Sequence, residues 1–207
     1  MKMKKGFTLA EVLITLGIIG VVAAITLPSL LADTASAQIG PKLAKAVSMF
    51  EQANEGLLSS HVSDTLIDTG LTSSSTTYMN EFRKFMKGSN SAGTFTAKDG
   101  VKYTVSFSAT APSNNTDPPH LQKIGSATLD INGASKPNQA GTDVFYFSMW
   151  NDGSLRPQGG TGWNGGTNDA SGGSAHWSTK CKVDAVASDP AYCAGHIFEN
   201  NFKVLYR

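Results

Sequence analysis

From Phe7 to Leu31 the chain runs through about 25 residues with a single charge, Glu11, and no feature restricts its folding more. A helix rises about 1.5 Å per residue, so a helix of this length covers the roughly 30 Å hydrocarbon core of a bilayer. Three lysines, Lys2, Lys4 and Lys5, precede the run and none lies inside it. That asymmetry keeps the first residues in the cytoplasm and sends the remainder across the membrane. A carboxylate one turn into such a segment is costly, about 2.5–3.5 kcal/mol for a centrally placed acid, unless a partner meets it or it snorkels to water. Glu11 therefore needs a reason.

A conventional secretory signal is the rival reading, because Ala35-Ser36-Ala37 has the small-x-small spacing that signal peptidase reads. The apolar stretch exceeds the roughly 7–15 residues of such a signal and carries an acid near its head. A spanning anchor is the better account.

The stretch "KKGFTLAEVLITLGIIGVVAAITLP" closely resembles the N-terminus shared by type IV pilins and the pseudopilins of type II secretion. The resemblance covers residues 1 to about 31, with a helical continuation to about 60. It implies a leader of residues 1–6 ending in Gly6, removed by prepilin peptidase, with Phe7 as the new N-terminus and the site of N-methylation. Glu11 then falls fifth in the mature chain, where this family keeps its glutamate, and Gly17, Gly20 and Pro28 stand where members often carry Gly and Pro. In a staggered bundle of identical helices the Glu11 of one subunit neutralises the Phe7 amine of its neighbour. The implied partners are further copies in a helical filament, the peptidase and an inner-membrane assembly platform. The implied location is the bacterial inner membrane, single-pass with the head outside the cytoplasm, and after assembly a periplasmic or extracellular filament. Gly17, Gly20 and Pro28 weaken the helix, either to let neighbours pack closely or to let the segment stretch on leaving the bilayer, and a kink or local opening is expected before Pro28.

After Leu31 the pattern becomes amphipathic: Ile39, Leu43, Val47, Phe50, Ala53 and Leu57 recur at three- and four-residue steps among Lys42, Lys45, Glu51 and Glu55. The reading is one helix in two halves, a membrane and assembly half over 7–31 and an amphipathic half over 32–60, bent at Pro41. A head over 61–207 follows. "STTYMNEFRKFMKG" predicts a second helix from a Ser/Thr cap to Gly88, with Tyr78, Phe82, Phe85 and Met86 as a core stripe. "GTFTAKDGVKYTVSF" alternates about Asp99-Gly100 and predicts a hairpin. "SATLDI" and "DVFYFSMW", the latter turning at "NDGS", read as strands, and "NFKVLY" as a strand closing the sheet. The fold class is α+β and pilin-like: a long N-terminal helix packed on a small antiparallel sheet.

Cys181 and Cys193 are the two cysteines, both in the part expected outside the cytoplasm, and a disulfide is the simplest reading. His176 and His196 flank them, so a Cys2His2 zinc site stays open. Many type IV pilins close a C-terminal loop with a disulfide, which the resemblance extends to this pair. Asp130, Asn132, Asp143, Asn151 and Asp152 offer oxygen ligands near strand turns and are calcium candidates, since some major pseudopilins bind calcium, although their spacing matches no EF-hand and such residues also stabilise turns. No cofactor is implied otherwise. The stretch from Gly159 to Ser174 holds seven glycines among sixteen residues without phosphate-loop spacing, with Trp163 near its start and Trp177 just past its end.

No hydrolase, zincin or acyl-enzyme frame is present, and the four histidines are scattered, so an enzyme is not expected. Without the leader lysines the chain has 14 bases against 16 acids. Bulk attraction to nucleic acid is not implied, and a DNA-uptake pilin would need a local basic patch that the dispersed lysines do not announce. The expected function is a structural filament subunit, of a pilus or of a secretion pseudopilus.

Overall fold

The computed structural model describes residues 6–108, 121–160, 177, 181 and 189–204, without the side chains at 28, 29, 31–33, 35 and 36. The chain divides into two compact units, residues 1–38 and 39–207. Helix α1 (Leu9–Ser60) supplies the regular structure described in the first and one layer of the second. Its helical backbone continues through Pro28 and Pro41, so the local opening expected before Pro28 is not seen. A proline removes one intrahelical bond, and the turns on either side of it hold the helix.

In the second unit a six-stranded antiparallel meander runs in chain order: β1 (Gly88–Ser91), β2 (Thr94–Ala97), β3 (Lys102–Phe107), β4 (Lys123–Asp130), β5 (Val144–Trp150) and β6 (Leu155–Pro157). Alternation puts Phe95, Tyr103, Val105, Ala127, Leu129, Phe145 and Phe147 on one face, all buried. Opposite them lie Leu43, Val47, Phe50 and Leu57, the amphipathic stripe of α1, in the same core. Phe50 is the hub, 5.0 Å from the Phe82 ring and 5.7 Å from the Tyr103 ring. Residues 39–60 thus belong to the head's core as fully as any strand.

The second helix is shorter than the sequence predicts. Helix α2 (Ser75–Phe82) starts at Ser74, whose hydroxyl accepts from the Thr77 amide at 3.4 Å, and Gly88 opens β1 instead of ending the helix. Tyr78, Phe82 and Met86 are buried, but Phe85 is 40% exposed. With the helix finished at Phe82, helical spacing no longer dictates where residue 85 points. The hairpin about Asp99-Gly100 forms, with Phe95 opposite Tyr103.

At the C-terminus a 3-10 turn (Pro190–Tyr192) and helix α3 (Cys193–Glu199) lead into the expected closing strand, whose described residues, 201–204, form a turn and irregular backbone, residues 205 and 206 lying outside the described residues. Asn201 and Phe202 both take positive φ, 53° and 58°, which a strand cannot accommodate. Phe198 and Phe202 pack together at 4.7 Å, and Phe198 meets Phe147 at 5.6 Å. Gly195 lets α3 approach β6's outgoing chain so closely that a Cβ there would sit 2.3 Å from the Gly160 nitrogen. The glycine-rich stretch beyond Gly160, Trp163 and His176 lie outside the described residues.

Candidate functional site

The N-terminal unit carries the predicted processing and assembly residues. Gly6, Phe7 and Thr8 lie ahead of the helix in irregular backbone, and Phe7 is 90% exposed. The Gly6–Phe7 bond is therefore open to a protease without unwinding any helix. Glycine there puts no side chain in the way.

Thr8 is the N-cap, and the contacts are reciprocal. The Glu11 carboxylate, through Oε2, accepts from the Thr8 amide at 2.9 Å and from the Thr8 hydroxyl at 2.8 Å, while the Glu11 amide donates to the Thr8 hydroxyl at 3.3 Å. This is a capping box, Thr-x-x-Glu. An acid in the first turn also faces the positive end of the helix dipole. The motif is legible in "TLAE", and reading Glu11 only as an intersubunit partner overlooks it. Its second oxygen, Oε1, takes no hydrogen bond from any described residue. Farther along, Thr15 donates to the Glu11 carbonyl at 2.8 Å and Thr26 to the Val22 carbonyl at 2.9 Å, so these hydroxyls are satisfied within the helix.

From Leu9 to Leu27 the helix is 19 residues of mean hydropathy 2.3, none of it buried, long and apolar enough to cross a membrane. A Cβ added at Gly17 or Gly20 would meet nothing within 4 Å. A helix apolar on all sides needs lipid or other helices around it.

Residues 1–27 match the family described as the prokaryotic N-terminal methylation motif. The chain carries a prepilin-type signal. No curated protein and no solved structure matches the chain. Proteins that carry this motif are a structural kind processed by prepilin peptidase, and here the motif leads into an apolar helix long enough to cross a membrane.

The head behind this signal gathers some of the other candidate residues and separates the rest. Asp143, buried, accepts from the Asn132 side chain at 2.8 Å and from the amides of Asn138 and Gln139 at 2.7 and 2.5 Å. Asp130 accepts from the amides of Asn132 and Gly133, and burial still raises its pKa. These three oxygen-bearing residues organise one loop by internal hydrogen bonds. Asp152 serves the β5–β6 turn instead, accepting from Ser154, and the Asn151 side chain accepts from the Gln122 amide just ahead of β4. Among the described residues no three of His, Cys, Asp and Glu cluster in a way that would hold a metal.

Cys181 and Cys193, both buried, stand with sulfurs 1.93 Å apart, at disulfide distance. Zinc would need both as thiolates, and His176 is outside the described residues. His196 packs its buried ring edge-on against Trp177 at 4.4 Å, and desolvation lowers its pKa. The Trp177 indole N–H donates to Glu199 at 2.5 Å, which pins this flank of the glycine-rich stretch to α3.

Proposed function

We propose that the protein is a prepilin: cut after Gly6, N-methylated on Phe7, and assembled through residues 7–31 into a helical filament of the type IV pilus or type II secretion kind. The observation that carries this reading is the conjunction, within 27 residues, of the methylation motif, an exposed bond before the helix and an apolar helix with no covering surface. Cutting there frees an amine at Phe7, the residue next to the Thr8 cap. The Oε1 atom of Glu11, left open by the cap, is available to a neighbour's amine at the same depth in the bilayer, so a single carboxylate serves its own helix end and the next subunit. Lysines 2, 4 and 5 keep the leader in the cytoplasm, and the paired cysteines suit a head outside it.

N-terminal sequencing of the mature protein tests the reading. The expected product begins "FTLAEV" with a methylated Phe7. A product starting at Gln38 would discard the apolar helix and make this a secreted protein with a conventional signal.

A further inference from the structure

Helix α1 carries opposite charge on its two flanks. At 3.6 residues per turn Leu43, Phe50 and Leu57 face the sheet, and Lys45 and Glu51, six residues apart, fall on opposite sides of that stripe. Lys45 leans toward the β1–β2 edge, where its ammonium meets Asp99 at 2.7 Å and holds that carboxyl below its usual range. Lys45, Met49, Phe85, Met86, Lys87 and Lys98 line a groove there of about 540 Å³. Lys87 and Lys98 come from segments 11 residues apart and are exposed, and neither makes an ion pair with any described residue. Phe85 supplies an exposed apolar wall.

The other flank lies at the β5–β6 edge. Glu51 accepts there from the Leu155 amide at 3.0 Å, and the Asn54 amide donates to the Gly153 carbonyl at 2.7 Å. Glu55 and Asp152 are exposed beside Glu51, close enough for both to push its pKa up further than burial does alone. No cation among the described residues pairs with either. β1 and β6 are the two edges of the sheet, so a basic groove with an apolar wall and an acidic ridge occupy opposite edges of one head.

We infer that these two flanks bind each other between successive copies of this chain, the Glu55–Asp152 ridge of one head seating at the Lys87–Lys98 groove of the next. The inference rests on the filament reading above and deepens it. Contact between unlike patches leaves one of each free at every step, which generates an open helical polymer when the rotation does not close into a ring, whereas a patch that met itself would close a dimer. Charge complementarity also fixes register and disfavours the wrong neighbour.

The test uses the full chain in the cell that assembles it, with filaments sheared and scored by immunoblot and electron microscopy. Lys87→Glu with Lys98→Glu, and separately Glu55→Lys with Asp152→Lys, each lower filament yield at least about tenfold, the change that about 1.4 kcal/mol makes in an association constant. All four together restore it. A second chain, Lys87→Cys with Asp152→Cys, gives a ladder of disulfide-linked multimers without reductant, whereas either cysteine alone gives nothing beyond a dimer. Wild-type yield in both charge-reversed pairs, no rescue in the fourfold variant, or no ladder overturns the inference while the filament reading stands. A wild type that makes no filament overturns both. Single-stranded DNA binding lost in the lysine pair, with filaments intact, assigns the groove to nucleic acid and overturns the inference.

Discussion

Asn54→Ala should damage the head more than any surface change. Asn54 is fully buried on α1 and bridges two other elements: its amide donates to the Gly153 carbonyl at 2.7 Å, and its oxygen accepts the hydroxyl of Tyr78 on α2. The site is tight, since a Cβ at Gly153, where φ is +85°, would lie 2.7 Å from that of Asn54. Tyr78 is so deeply buried that its pKa stands well above the usual value, and water cannot replace the lost partner. Truncation leaves a hydroxyl donor and a carbonyl acceptor unsatisfied, about 1–3 kcal/mol each, so a loss of about 2–6 kcal/mol is expected. That is a large part of the roughly 5–15 kcal/mol a domain has. Urea unfolding of a head fragment beginning at Thr34, followed by tryptophan fluorescence, measures it as a lower midpoint at unchanged slope. Tyr78→Phe removes only the hydroxyl bond and should lose less, and the double variant should lose less than the sum of the two. A loss below about 1 kcal/mol for Asn54→Ala would refute the argument, because it would mean that neither stranded group is desolvated.

Three further outcomes are expected. Glu11→Ala inserts into the membrane at least as well as wild type but fails to enter sheared filaments, while Thr8→Val, which loses a cap of about 1 kcal/mol and keeps the carboxylate, still assembles; normal filaments from Glu11→Ala would refute the pairing role. Burial raises the pKa of Glu51, so the folded head holds that proton more tightly than the unfolded chain. The stability it contributes is complete below about pH 4.3, the unfolded value, and is lost as pH rises through the raised folded value. Glu51→Gln should therefore flatten that part of the stability–pH curve and stabilise the head at pH 7, and a curve parallel to wild type would sink the assignment. Cys193→Ser opens the loop that spans the 12-residue separation to Cys181 and should lower stability by about 2–4 kcal/mol; a urea midpoint unmoved by reductant would exclude the disulfide.

The parts of the fold visible in the sequence are those with a local signal. The apolar run and the three-and-four spacing after it describe α1 to its end at Ser60, and Asp99-Gly100 marks the turn between β2 and β3. β1 carries no such signal: "GSNS" neither alternates nor favours strand, and it pairs because β2 offers it a partner register from Gly88–Ala97 to Ser91–Thr94. Helix α3 is seven residues with no side-chain cap, too short to stand alone, and is held by tertiary contacts through Cys193 and Gly195, while the strand-like look of "NFKVLY" fails at the positive φ of Asn201 and Phe202. At the N-terminus the cap "TLAE" is fully legible. The groove is not, since Lys45, Lys87 and Lys98 are neighbours only after the meander has folded.

The sheet's outer strands bear on a hazard that any crowded array of these heads would face. An unpaired strand edge is a template for the next chain, and anchoring many copies side by side raises their local concentration. β1 is four small polar residues long, and β6 is three, ending in Pro157, which has no amide hydrogen to give. Neither edge extends a ladder far enough to recruit a neighbour's backbone. In a filament of the kind proposed, copies of this head would meet through side chains, whose grip salt can weaken, and not through fused sheets that nothing short of unfolding would part.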